Sequence, residues 1–333
     1  ASFTYPLYSF KSSLTNFGIY FSALCPTNYL NLNNYTGFME LNIKLLLVIN
    51  PISGGSDKVD IIKDIQDIAI KQQATLEVYQ TTGDDDEKHI KNLVKEKSID
   101  RILVAGGDGT IQLVAKAIEG LNIPIGIIPA GSANGLASNF NLPETLQYQV
   151  KLIFGHYFID MDVISVNGHL CVHIADIGIN AHLIKNYEDS SLRGKLGYAL
   201  QTIPTLIESD LPYHFSININ GETIQKEGIM IAIANANQFG TGAVINPECK
   251  MNDGIFEVLI FKKFNVIDIL KTLSETSERD PEFVESFATK QVTVHCDKKV
   301  HLQVDGEYLG EVNTIEAHIE PSKIRIMLPD AMV

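Results

Sequence analysis

Cysteine is scarce in this 333-residue chain: Cys25, Cys171, Cys249 and Cys296 are scattered, with no CxxC pair. That spacing offers neither a zinc site nor a disulfide framework and fits a reducing, cytoplasmic setting. Long apolar runs are missing too. No stretch of 18 or more apolar residues occurs, so nothing reads as a membrane span. Positive charge is in deficit, with 26 Lys and Arg against 40 Asp and Glu and a formal net charge of −14. Wholesale nucleic-acid binding is excluded on that balance, while a local basic patch for lipid headgroups is compatible with it. The Walker pattern GxxxxGK(S/T) and the pattern GxGxxG are both absent, which sets aside P-loop enzymes and standard dinucleotide dehydrogenases. GxSxG is absent as well. The nine histidines show no metal spacing; His169 and His173, four apart in a strand-like stretch, read as structural.

What is present suffices for two ordinary domains, given 45% hydrophobic residues over this length. The first 38 residues stand apart. They hold one charged residue, Lys11, and ten of the chain's Phe and Tyr residues, without the compact apolar core of a signal peptide. Met39 then opens a regular run through Lys44. Residues 1–38 are therefore expected to be an extension outside the core, with an aromatic membrane-contact arm as the alternative.

From 44 to about 140 strand and helix patterns alternate. Strands are expected at Lys44–Asn50, Thr75–Tyr79, Arg101–Ala105 and Ile125–Ile128. Helices are expected at Val59–Ile70, Asp84–Lys97 and Ile111–Glu119, with another beginning at Ala133–Phe140. Such alternation implies a parallel sheet covered on both faces. After about 160, strand-like segments dominate: Met161–Val166, Leu170–Ile177, His214–Ile219, Gly228–Asn235, Gly254–Phe261, Gln291–Cys296 and Val300–Val304. Asn220-Gly221 is a strong hairpin signal. This half should be mostly antiparallel, with helical inserts near Lys195–Ile207 and Val266–Glu275.

Glycine turns follow all four strands of the first half. They are Asn50-Pro51-Ile52-Ser53-Gly54-Gly55, Thr81-Thr82-Gly83, Gly106-Gly107-Asp108-Gly109-Thr110, and Pro129-Ala130-Gly131-Ser132-Ala133-Asn134. In an open parallel sheet these loops share one edge, where ligands bind. Glycine admits close backbone approach, and a helix N-terminus attracts anions. Four such loops suggest a polyphosphate cradle. A carboxylate beside it, Asp108, makes sense with a divalent metal or a transferring phosphoryl group between them. Plainer readings exist for the single residues. Asp108 could cap a helix, Asp305-Gly306 and Asn252-Asp253-Gly254 could be simple turns, and Asp84–Glu87 could be a charged first helical turn.

NPISGG, GGDGT and PAGSANGLA, in that order and spacing, resemble the catalytic domain of the diacylglycerol kinase and sphingosine kinase family, its bacterial soluble lipid kinases above all. Gly178–Ala181, Met251–Ile255 and Val304–Glu307 resemble later motifs of that family, and the resemblance covers about residues 43–329. It implies an α/β N-terminal domain with a parallel sheet, of the NAD kinase/diacylglycerol kinase type, and a mostly antiparallel β-sandwich second domain. The boundaries would be 39–160, with 313–333 returning, and 161–312. It implies ATP and Mg²⁺ as cofactors. Asn50, Pro51, Ser53, Gly54 and Thr82 would approach the nucleotide. Gly106, Gly107, Asp108, Gly109, Thr110 and Gln112 would wrap its phosphates, and Ser132 and Asn134 would add contacts. Asp108 would act with the catalytic Mg²⁺. Asp305 or Glu307 would take the proton from the lipid hydroxyl. A structural cation would sit on the carbonyls of Lys250 and Ile255 and the side chain of Asp253.

Three positions depart from the family pattern: Gln112 replaces a usual Asn, Gly135 stands where many bacterial relatives carry Asp, and Asn180 replaces an acidic residue. The last bears on the acceptor, because its turn should lie near the cleft. The implied function is phosphorylation of diacylglycerol or a related lipid at a membrane surface, with no nucleic-acid partner and a homodimer left open. The alternatives are a kinase of a soluble acceptor, as in NAD kinases, and a nucleotide- or lipid-binding regulator without turnover.

Overall fold

The computed structural model describes residues 42–52, 58–131, 134–140, 142–182, 211–236, 250–262 and 283–329, and the backbone of two short strands at 238–239 and 243–244. Ser53, Gly54, Ser132 and the inserts expected near 195–207 and 266–275 lie outside the described residues.

The first half is built from β1 (Lys44–Ile49), α1 (Lys58–Lys71), β2 (Thr75–Gln80), α2 (Asp86–Lys97), β3 (Arg101–Gly106), α3 (Asp108–Ala117), β4 (Ile125–Pro129), α4 (Gly135–Ser138) and α5 (Leu146–Leu152). The strands are parallel, in the order β2-β1-β3-β4. Their unbroken apolar runs are explained by burial on both faces. Leu45, Leu47 and Ile49 pack toward α1 and α5, against Ile65, Val150 and Ile153. Leu46 and Val48 face α2 and α3, against Ile90, Val94, Ile111 and Val114. The short α5 was not anticipated from the sequence. Because β1 pairs with both β2 and β3, the chain switches direction across the sheet between β1 and β3. A crevice opens outside the carboxyl ends of strands at such a point.

The second half follows as β5 (Phe158–Val166), β6 (His169–Cys171), β7 (Ile174–Gly178), β8 (Tyr213–Ile219), β9 (Glu222–Gly228), β10 (Met230–Ala234), β11 (Gln238–Phe239), β12 (Ala243–Val244), β13 (Phe256–Phe261), β14 (Val284–Thr289), β15 (Gln291–Val304) and β16 (Glu307–Met327). Pairing here is antiparallel, and the arrangement is the expected mostly antiparallel β-sandwich. The long β15 joins its layers. Its first part pairs with β8, its last part with β7, and its register against β16 shifts between His295 and Val300. A core that includes Phe215, Ile217, Val294, Leu302, Ile231 and Val258 lies between them. The Asn220-Gly221 turn joins β8 to β9 with both residues at positive φ, 52° and 84°, as a type I′ hairpin requires. Near its end β16 runs parallel to β4, pairing Ile326 with Ile125, so the two halves share one continuous sheet.

One expected strand is divided. Leu170–Ile177 breaks at Val172 and His173 into β6 and β7. The N–H groups of Val172, His173 and Ile174 all donate to the carboxylate of Asp305. Amides turned toward one side chain are lost to a sheet ladder.

Candidate active site

The loops after β1, β3 and β4 interlock at the switch point. The Asn50 N–H donates to the Ala105 carbonyl (3.1 Å), and the Ala130 N–H to the Gly106 carbonyl (2.9 Å). Gly107 and Gly131 touch backbone to backbone: a Cβ on Gly131 would lie 2.4 Å from the Gly107 Cα. These glycines are therefore required by close packing of two loops. Gly109 differs. A Cβ there would meet nothing within 4 Å among the described residues, so close packing against them does not explain this glycine. Thr110 and Ile111 in the first turn of α3 donate to the Gly107 carbonyl, the N–H groups of Asp108 and Gly109 precede the helical ladder, and the helix dipole favours an anion there.

Asp108 begins α3, but its carboxylate reaches across to the next loop. Oδ2 accepts the Gly135 N–H (2.8 Å) and Oδ1 the Leu136 N–H (3.0 Å). It therefore ties the β3–α3 loop to the start of α4, which its own helix-capping reading did not foresee. Asn134, at φ 53°, closes the same loop on itself by accepting the Gly131 N–H and donating to the Gly131 carbonyl. At the end of β1, the Asn50 Oδ1 accepts the Ile52 N–H (3.0 Å) beside an exposed Pro51. Thr110 is buried, and its hydroxyl lies where a Gly106 Cβ would clash at 2.4 Å.

Thr82 faces a hub built on Asp86, inside the stretch whose sequence pattern is that of a charged first helical turn. Buried Asp86 accepts the Tyr79 hydroxyl (2.6 Å), the Thr82 N–H and hydroxyl, and the Gly83 N–H. Burial would raise the Asp86 carboxyl, but these hydrogen bonds outweigh it and hold it below its ordinary range. Tyr79 is pushed up to about 12 by burial and by the Asp86 charge.

The β domain delivers Asp305 to α3. Val304 and Glu307 pair across a hairpin whose turn residues, Asp305 and Gly306, have φ of 50° and 87°. The turn is thus a structural hairpin and also an acidic hub. Asp305 Oδ1 accepts the His173 and Ile174 N–H groups, and Oδ2 accepts the Val172 N–H and the Gln112 side-chain amide (3.0 Å). The Cys171 thiol lies 3.7 Å from Oδ1 and is pushed well up, first by burial and then by the Asp305 charge. Burial also raises the Asp305 carboxyl, against the opposing pull of its amide donors and of His173. Glu307, two residues on, is exposed. Gln112, expected to wrap the phosphates, has its side-chain amide in this hub. It is buried, and its amide donates to the Leu170 carbonyl and to Asp305.

Two further buried acids come from outside every motif. Gln303, on β15, donates to Asp176 and accepts the Gly306 N–H (2.7 Å), so it braces the hairpin from the other side. Asn180, the departure in the 178–181 turn, donates to the same Asp176 oxygen (2.6 Å). The second oxygen of Asp176 is buried without a donor among the described residues. Burial raises Asp176 to about 7, despite the Gln303, Asn180 and Ala181 donors. Between pH about 4 and about 7 the folded chain therefore keeps a proton that the unfolded chain has released, and stability falls as pH rises. Asp176→Asn removes that dependence. The variant is expected to melt above the parent at pH 8, with the gap closing by pH 4 and bounded by about 4 kcal/mol. Thermal unfolding across that range checks it, and a gap independent of pH contradicts it.

The second is Asp162, which organises the 250–255 loop. Its Oδ2 accepts the Gly254 N–H (2.7 Å), its N–H donates to the Met251 carbonyl, and the side-chain amide of buried Asn235 donates to the Asp162 carbonyl. Asp253 sits exposed on that loop and accepts the Ile255 N–H at 3.3 Å, with Lys250 exposed beside it. Among the described residues no group of three or more His, Cys, Asp or Glu side chains could hold a metal. A cation on this loop would depend on the carbonyls of Lys250 and Ile255 with one carboxylate.

The elements thus form a parallel α/β domain whose glycine loops lie at one sheet edge, joined to a β-sandwich whose Asp305 hairpin bonds to α3. Residues 44–166 match the diacylglycerol kinase catalytic domain, and residues 174–328 match the YegS C-terminal NAD kinase beta sandwich-like domain. Each match covers less than half of the chain, and the two follow one another along it. It is 29% identical over 236 residues to a protein of Shigella dysenteriae described as "Probable lipid kinase YegS", covering 68% of this chain and 78% of that one. The Shigella flexneri protein of the same description is 28% identical over 263 residues, 77% of this chain and 87% of its own. Among solved structures, a diacylglycerol kinase from Bacillus anthracis superposes with a TM-score of 0.68 at 17% identity, covering 87% of this chain and 98% of that one. A second Bacillus anthracis structure reaches 0.72 at 20% identity.

Proposed function

We propose that this chain is an ATP- and Mg²⁺-dependent lipid kinase that phosphorylates a hydroxyl of diacylglycerol or a related lipid. The observation that carries the reading is the contact between the two halves. Asp305, the half-buried acid of the β domain, is bonded to the same helix whose first turn holds Gly109. Phosphoryl transfer asks mainly for positioning, charge neutralisation and a base beside the attacking hydroxyl. The nucleotide phosphates would lie on the α3 N-terminus, among Asn50, Gly106–Thr110 and the 131–134 loop. Mg²⁺ would neutralise charge there, held by the phosphates with Asp108 as its protein carboxylate, since magnesium sites commonly use one or two carboxylates and keep several waters. The lipid hydroxyl would lose its proton to the acidic hairpin, to Asp305 once one of its N–H donors gives way or to exposed Glu307 beside it, and form the new P–O bond as the bond to the β-phosphate oxygen breaks and ADP leaves. A carboxyl raised by burial is the better base for this. The acyl chains would fall to the β domain, whose β7–β10–β13 sheet is apolar on both faces. A second cation would order the 250–255 loop.

Radiolabelled ATP incubated with mixed vesicles carrying diacylglycerol, ceramide, sphingosine or monoacylglycerol, and separately with NAD, tests the reading. Labelled lipid identified by mass is the expected product. Label in NAD alone would move the acceptor to the soluble class, and ATP binding without any product would favour a regulator.

A further inference from the structure

We infer that Asp176 is a recognition group for the acceptor lipid: its free oxygen takes a hydrogen bond from a second headgroup donor, a hydroxyl or an amine, next to the hydroxyl that receives the phosphoryl group. The inference rests on the lipid-kinase reading above. Asp176 is 1% exposed. Its Oδ2 takes the side-chain amides of both Gln303 and Asn180, while Oδ1 is buried with no donor among the described residues. A buried carboxylate oxygen without a donor bears the full cost of its lost hydration. Such an atom in a native fold calls for a cause, and a ligand donor that completes it is one. Burial raises this carboxyl to about 7, and perturbed acids of that kind gather at functional sites. The acid therefore weakens the fold near neutral pH, as groups held for function commonly do.

Its place suits an acceptor site. Successive residues of a strand face opposite sides. Ala175 and Ile177 enter the core between the sandwich layers, and Ile174 joins Ala232, Leu259 and Phe261 on the other face of the β7–β10–β13 sheet. Asp176 falls on that second face, in register between Gln303 of β15 and Ala232 of β10, with Leu259 of β13 beyond. The face thus runs from apolar side chains to a carboxylate, in the order of a lipid's chain and headgroup. Gln303 spans the step from there to the acidic hairpin. Its Nε2 donates to Asp176, and its Oε1 accepts the Gly306 N–H. One side chain therefore separates Asp176 from the turn between Asp305 and Glu307, where the reacting hydroxyl is proposed to lose its proton. The lipid group left to meet Asp176 is the neighbour of that hydroxyl. In 1,2-diacylglycerol that neighbour is an ester without a donor. In 1-monoacylglycerol it is a hydroxyl, and in a sphingoid base an amine.

The test presents labelled ATP and mixed micelles of 1-monoacylglycerol, its 2-O-methyl ether, sphingosine or 1,2-diacylglycerol to the full chain. The ether keeps the reacting hydroxyl and loses only the second donor. The parent is expected to favour 1-monoacylglycerol over the ether by about 10- to 100-fold in kcat/KM, the range for a hydrogen bond to a charged acceptor. Sphingosine should exceed the ether too, and its rank against 1-monoacylglycerol tells amine from hydroxyl. Asp176→Asn puts an NH₂ group where one oxygen stood, and it should bring 1-monoacylglycerol down to the level of the ether. That variant is expected to outlast the parent on heating at pH 8, so a lost preference is not lost folding. Equal kcat/KM for 1-monoacylglycerol and its ether in the parent, a comparison that needs no variant, overturns the inference. A preference that Asp176→Asn retains overturns it as well. In both cases the labelled lipid leaves the kinase reading standing, whereas a parent that phosphorylates no lipid removes that reading and the inference with it.

Discussion

Asp305→Asn is expected to lower kcat by ~10²–10⁴-fold, the usual range for loss of a general base, and to lower the melting temperature as well. Both effects come from one carboxylate. Its Oδ1 receives the His173 and Ile174 N–H groups, and its Oδ2 the Val172 N–H and the Gln112 amide. An amide of the same shape must put an NH₂ group at one of those positions, donor against donor. Two hydrogen bonds then fail together, at a cost of about 1–3 kcal/mol for each buried group left unsatisfied. Glu307→Gln serves as the contrast. Glu307 is exposed at the first residue of β16, so its replacement should leave the melting temperature unchanged and turnover within tenfold. Initial rates and thermal melts of both variants decide between the two acids. A near-normal rate in Asp305→Asn, or a collapse of rate in Glu307→Gln at full stability, assigns the proton to Glu307.

Asp108→Ala should abolish measurable turnover with the overall fold retained. The carboxylate gives up two roles in that substitution. It is the acid of the loop proposed to hold the phosphates and Mg²⁺, and it holds the Gly135 and Leu136 N–H groups at 2.8 and 3.0 Å. Hydrogen bonds to an ionised acceptor contribute roughly 1.5–3 kcal/mol each, so the start of α4 should loosen. Amide hydrogen exchange at Gly135 and Leu136 should therefore quicken in the variant, while β1 and β3, whose apolar residues are fully buried, keep their protection. Asp108→Asn retains one acceptor oxygen and should lie between the two in exchange. Wild-type turnover in Asp108→Ala would remove Asp108 from the phosphate site, and unchanged exchange would deny the clasp.

Much of the fold was legible because its signals are local. The runs Leu45–Ile49 and Ile102–Ala105 read as doubly covered parallel strands, and they pack on both faces. Asn220-Gly221 needs two residues at positive φ, which few residue pairs supply. The glycine loops were visible for the same reason, since a close backbone approach such as Gly107 against Gly131 leaves glycine as the residue that fits. The unpredicted features have distant causes. Leu170–Ile177 has the pattern of one strand, and it breaks because of a carboxylate at residue 305. Asp162 and Asp176 carry no motif and lie in apolar strand stretches, yet each is about 1% exposed and braces a loop distant in sequence. Nothing near Gln112 in the chain indicates that its amide will turn toward the β domain.

The sequence by itself determined the order of strands and helices, the glycine loops at one sheet edge and the resemblance to a kinase family, because each depends on residues close together in the chain: periodicity, turn chemistry and backbone freedom. Only the tertiary structure decided what the acids do. It set Asp108 on the α4 N-terminus, Asp86 under the Thr82 turn, Asp305 on three amides and Gln112, and Asp176 beneath the hairpin near neutrality. A carboxylate's role follows from its donors and its distance from water, and both are fixed by segments more than a hundred residues away for Asp305 and Asp176.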